Sequence, residues 1–161
     1  MKTIPAAGVS LVHSMLRVGH APTLTNNIQS GAYQTTQYFP LLKNKRVGLF
    51  TNHTAIVNGK HLVDTLISAG IKIQKIFTPE HGLRGDADAG EKTSDEMDAK
   101  TGIQIVSLYG KKNAPNQEDL ADIDILVFDI QDVGVRFYTY ISSLQLYMES
   151  AKKFKKPLIV L

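Results

Sequence analysis

The chain contains no cysteine, which excludes disulfides, thiolate metal sites and a cysteine nucleophile. No apolar run reaches the roughly 18 residues a membrane-spanning helix needs, so no transmembrane segment is expected. Gly-x-Gly-x-x-Gly is missing, and so is a Walker-type phosphate loop. Dinucleotides and nucleoside triphosphates therefore lose their usual backbone cradle, and no cofactor is expected. Gly-x-Ser-x-Gly is missing as well, which leaves a serine nucleophile unsupported. Charge bias is small, with 18 Lys and Arg against 15 Asp and Glu. Part of the excess is local, in Lys152, Lys153, Lys155 and Lys156, and reads as a solvated helix face. No aromatic interleaving or RNA-binding signature accompanies it, so nucleic acid is not an expected partner.

What is present suits one α/β domain. The length of 161 residues and the 43% hydrophobic content allow a real core. Residues 1–36 show no sustained periodicity and read as a leader or irregular arm, with the domain running over 37–161. Lys2 and the stretch from Ala6 to Leu16 resemble an export signal, although His13, Arg17 and His20 interrupt it. Arg46 to Thr51, Ile71 to Phe77, Ile103 to Leu108, Ile125 to Ile130 and Pro157 to Leu161 read as strands. Between them, helices are expected near His61 to Ala69, Pro115 to Ala121 and Tyr138 to Phe154, the last with Leu144, Met148 and Ala151 inward. Near-continuous apolar strands alternating with helices imply a parallel sheet covered on both faces. The expected fold is Rossmann-like. Because Leu161 falls inside a strand pattern, the chain is expected to be a fragment of a longer protein.

Parallel strands share one carboxyl edge, and four of them deliver polar, protonatable groups there. The first ends in Asn52-His53-Thr54, the second in Glu80-His81, the third in Tyr109-Gly110, and the fourth in Asp129, Gln131, Asp132 and Arg136. Pro79, Gly82 and Gly85 force the chain out of regular structure around Glu80. Glu80 suits either a general acid/base or a structural role, such as a cap or a partner for Arg84. Asp86, Asp88 and Glu91 could be its carboxylate neighbours or solvated charges. Asn52 suits a turn hydrogen bond or a sugar hydroxyl. His53 and His81 with Asp129 or Asp132 form a metal alternative, without the tight ligand spacing such sites show. Phe137 and Tyr140 suit the core, while Tyr138 or Tyr140 could stack on a sugar as Arg136 holds a carboxylate.

The stretches Val47–Thr54, Pro79–Glu91, Ser107–Gly110 and Val127–Ser142 resemble bacterial exo-β-N-acetylmuramidases of the NamZ type. The resemblance covers about residues 38–161. It implies a Rossmann-like N-terminal domain, a further C-terminal domain lacking here, and a site in the cleft between them. It also implies release of N-acetylmuramic acid from non-reducing ends of peptidoglycan fragments, and a periplasmic or secreted location. Glu80 of Pro-Glu-His-Gly becomes the expected catalytic residue, supported by His81. Asn52, His53, Arg84, Asp129, Gln131, Arg136 and Tyr138 become expected substrate contacts, with Arg84 or Arg136 on the lactyl carboxylate. The alternatives are a non-catalytic carbohydrate-binding fragment and a metal-dependent hydrolase using His53, His81 and Asp129.

Overall fold

The computed structural model describes residues 29–84 and 96–161. A 3₁₀ turn at Gly31–Tyr33 leads into α1 (Thr35–Leu42) and β1 (Arg46–Thr51). A short hairpin follows, β2 (Ile56–Val57) and β3 (Lys60–His61), then α2 (Leu62–Ser68) and β4 (Lys72–Thr78). After these come β5 (Glu96–Met97), β6 (Gln104–Ser107), α3 (Gln117–Leu120), β7 (Ile125–Asp129), α4 (Tyr140–Lys153) and β8 (Leu158–Val160).

Six strands form one sheet in the order β5-β6-β4-β1-β7-β8. Every neighbouring pair is parallel except β5 with β6. The chain moves outward from β1 through β4 to β6, then returns to the other side of β1 for β7 and β8. The switch point of this Rossmann-like order therefore lies between β1 and β7, where open α/β sheets bind ligands. The sheet is parallel apart from the β5 edge, as its apolar strands imply.

Alternation within the strands supplies two cores. Val47, Leu49, Ile76 and Val127 face Tyr38 and Leu42 of α1 and Leu62 and Leu66 of α2. Phe50, Phe77, Leu126 and Phe128 face Tyr147 and Ala151 of α4. Phe50 and Phe128 meet edge to face at 5.2 Å, and the Tyr147 ring lies 5.1 Å from Phe50. The Tyr147 hydroxyl donates to the Gly48 carbonyl at 3.2 Å, tying α4 to β1. A Cβ on Gly48 would stand 2.7 Å from Ile123 Cδ1 and 2.9 Å from Leu126 Cδ2, so any larger residue there must push both methyls aside.

Several expectations need correction. Residues 31–42 are ordered into the 3₁₀ turn and α1, beginning inside the segment read as irregular. Tyr38 and Leu42, one helical turn apart, anchor α1 despite Pro40 in its interior. The inner stripe of α4 is Leu144, Tyr147 and Ala151, whereas Met148 is 52% exposed. Tyr147, not Met148, completes the 3.6-residue spacing from Leu144 to Ala151. Phe137 is 82% exposed because α4 begins later than expected, at Tyr140. Tyr140 does pack against the second core.

Candidate functional site

The carboxyl edge is organised by register. Thr51 pairs with Asp129 and Thr78 pairs with Ser107, while Phe50 opposite Phe77 sets Thr51 beside Thr78. These four residues close the strands β6, β4, β1 and β7. Glu80 and Tyr109 each lie two positions past a matched pair, so they emerge side by side. Hydrogen bonding to Glu80 is the main reason the Tyr109 phenol is raised above its ordinary value, with burial and the Glu80 charge adding to it.

Glu80 stands in a tight turn. The Gly82 amide donates to the Pro79 carbonyl at 3.3 Å, and His81 occupies the left-handed position with φ 71°. Glycine normally takes that place, so His81 is held in a strained backbone conformation beside Glu80. Both side chains are half-buried.

Asn52 is buried and closes the turn after β1. Its Oδ1 accepts from the Thr54 amide at 3.1 Å and from the Thr54 hydroxyl at 2.8 Å. The Asn52 carbonyl is bonded to His61 Nε2 at 2.9 Å. His61 Nδ1 accepts from the Val63 amide at 3.2 Å, capping α2 and leaving Nε2 as the protonated nitrogen. Burial is the main cause that pushes the imidazole below its ordinary value. His61 thus braces the Asn52 turn from behind, a role that sequence reading missed. His53 projects outward and is exposed.

Arg84 turns away from the rim. Its Nη2 lies 3.1 Å from Asp98 Oδ2, and Nη1 lies 3.9 Å from Asp64. Burial alone would raise Asp98, but hydrogen bonds from Thr101 and Arg84 outweigh it and hold the carboxyl below its ordinary value. Lys100 pairs with Asp64 at 2.6 Å along a groove of about 700 Å³ beside α2. These charges are matched within the fold and belong to its scaffold.

Asp129 is 4% exposed, and its Oδ2 has no hydrogen-bond partner among the described residues. Burial pushes the carboxyl up to about 6. Tyr38 is raised to about 12, mainly by burial and then by the Asp129 charge, while its hydroxyl donates to Ala32 at 2.8 Å. Beyond Asp129 the chain is exposed from Gln131 to Thr139. Asp132 Oδ1 accepts from the Gly134 amide at 2.6 Å and shapes this loop. Gln131 and Arg136 are solvent-facing within it. Tyr138 is 43% exposed and sits between Phe137 and Tyr140, with ring centroids 5.6 and 5.7 Å away.

Among the described residues, no three His, Asp or Glu side chains converge in a metal-holding group, so the His53, His81 and Asp129 alternative gains no support. Asp86, Asp88 and Glu91 lie outside the described residues. The register also brings in Thr51, which sequence reading passed over as a strand residue, and Thr78, which it placed just past the strand. Their signal was a polar residue closing an otherwise apolar strand.

A Rossmann-like sheet with a glutamate-bearing turn at its carboxyl edge defines the class. The family described as "Exo-beta-N-acetylmuramidase NamZ, N-terminal" matches residues 47–161, and the chain belongs to that family. It is 48% identical over 126 residues to the peptidoglycan beta-N-acetylmuramidase NamZ of Bacillus subtilis, covering 77% of this chain and 30% of that one. Two crystal structures of DUF1343 family proteins from Bacteroides fragilis resemble it closely. One has a TM-score of 0.69 and 42% identity over 81% of this chain and 33% of its own. The other has a TM-score of 0.70 and 43% identity over 79% of this chain and 32% of its own. The chain thus spans about a third of the length of these relatives.

Proposed function

We propose that the chain carries the acid/base side of a glycoside hydrolase site that releases N-acetylmuramic acid from non-reducing ends of peptidoglycan fragments. Glu80 is the general acid/base. The observation that carries this reading is the place of Glu80, two residues past the Thr78–Ser107 pair at the carboxyl edge and in a strained turn, with the Tyr109 phenol coupled to it. A positioned carboxyl can protonate the leaving glycosidic oxygen as water or a second nucleophile, such as the sugar's own acetamido group, takes the anomeric carbon. The name of the Bacillus subtilis relative supports the substrate class.

In this reading His81 supports Glu80. Asn52, braced by His61, shapes the wall on the β1 side, and His53 projects from that wall. Asp129 and Gln131 contact the sugar near the switch point, and Tyr138 offers an aromatic face for stacking. Arg136 takes the lactyl carboxylate, because the Arg84 guanidinium is already engaged by Asp98 and Asp64. The site works in the periplasm or outside the cell, where peptidoglycan fragments arise.

The reading is tested by incubating the protein with N-acetylmuramyl-N-acetylglucosamine and identifying the released sugars. Free N-acetylmuramic acid from the non-reducing end is expected. Cleavage only inside longer glycan strands would overturn the exo-acting assignment. A second reading, carbohydrate binding without turnover, is favoured by the exposed Phe137–Tyr138 pair. Calorimetric binding of N-acetylmuramic acid with no product release would select it.

A further inference from the structure

Ser107, Thr78, Thr51 and Asp129 form a continuous row across the ends of four neighbouring parallel strands. Two positions earlier, the same strands carry Ile105, Ile76, Leu49 and Val127, all in the core on the α1–α2 side. Alternation along a strand gives the row the same face. Aliphatic residues would fill it at less cost, yet all four side chains are polar and buried. Thr51 Oγ1, Thr78 Oγ1 and Asp129 Oδ2 have no hydrogen-bond partner among the described residues. Buried polar atoms left unmatched oppose folding, so their retention points to a use outside the fold. The Thr51–Asp129 pair also spans the β1–β7 switch point, the ligand crevice of this architecture.

We propose that Thr51, Thr78 and Asp129 form the floor of the saccharide site and recognise a neutral hydrogen-bonding group of the sugar, its acetamido group or a hydroxyl. The inference rests on the saccharide reading above and names the residues that set its specificity. Two hydroxyls can each donate and accept, and the carboxyl oxygen accepts when ionised. No cation stands in the row, so an anionic group is the wrong match, and the lactyl carboxylate goes to the Arg136 side. The buried position lifts the Asp129 carboxyl to about 6, which lets it donate as well in mildly acidic solution. The floor lies one layer beneath the rim, and its contact with the sugar runs through a bridging water.

The experiment measures binding of N-acetylmuramic acid and N-acetylglucosamine by calorimetry to the chain and to Thr51→Val and Thr78→Val, with thermal melts in parallel. Valine keeps the volume and removes only an unmatched hydroxyl. Both variants are expected to melt at or above the parent temperature while losing about five- to tenfold in affinity for both sugars. Thr51→Ser, which keeps the hydroxyl, should retain affinity. Unchanged affinity in the valine variants overturns the floor, and so does a lowered melting temperature with binding intact. Parent binding of N-acetylglucosamine but not N-acetylmuramic acid, weakened by valine, refutes the muramic acid reading and keeps the floor. Absence of binding to either sugar refutes both.

Discussion

Tyr109 and Glu80 meet because each lies two residues beyond Thr78 and Ser107, a pair matched across β4 and β6. Parallel register converts two loop residues far apart in sequence into one electrostatically coupled pair. The rigid part of the sheet thereby reaches the carboxylate.

Removing the phenol hydroxyl tests that unit. Tyr109→Phe should lower kcat/KM on a muramic acid glycoside by about five- to tenfold. The melting temperature should not change, because the ring stays and its hydroxyl is at the surface. An unchanged kcat/KM would show that Glu80 is oriented by something else.

Asp129 gives the fold a definite pH signature. Its folded-state value is about 6 against an ordinary 3.8, so the native state holds the proton more tightly than the unfolded chain does. The ionised form therefore destabilises the fold. The penalty is absent below the unfolded value, grows between 3.8 and about 6, and is complete above that. Asp129→Asn should raise stability at pH 7 by about 2–3 kcal/mol and give no gain near pH 3.5. Denaturant melts at the two pH values read this directly, and an equal effect at both would exclude titration of Asp129 as the cause.

Gly48 is fixed by packing. A methyl group there would press on Ile123 and Leu126 beneath α4. Gly48→Ala should cost about 1–3 kcal/mol, the usual range for overpacking a tight core. A denaturant titration that finds no loss would mean this layer can relax.

Arg136 is assigned to the feature that separates muramic acid from glucosamine, the lactyl carboxylate. Arg136→Ala should weaken N-acetylmuramic acid binding by about tenfold and leave N-acetylglucosamine unchanged, since a charge-assisted hydrogen bond is lost only with the first. Equal losses for the two sugars would move the lactyl contact elsewhere.

Much of the fold was legible in the sequence because Ile125 to Asp129 is buried throughout and β4 ends in the apolar, buried pair Ile76 and Phe77. β1 came out with its observed limits, Arg46 and Thr51. α1 was not legible, since Pro40 interrupts its apolar half and only Tyr38 and Leu42 are buried there. Nor was β5, whose two residues are strand only because β6 offers an edge. At the rim, the strand ends revealed Asn52, Glu80 and Asp129 as neighbours of one edge. The partners were hidden because they depend on register: Tyr109 for Glu80, Thr51 for Asp129, and His61 behind Asn52. In sequence the carboxylate near Arg84 was Glu80, and only the fold brings Asp98 to it across 14 residues.

The central claim is that Glu80 transfers the proton that breaks the glycosidic bond. It is tested most directly by turnover of a chromogenic N-acetylmuramide by the protein carrying these residues, compared with its Glu80→Gln variant. The amide fills the same space but cannot exchange the proton, so kcat should fall by about 10²–10⁴-fold while sugar binding persists. Turnover equal to that of the parent would contradict the account.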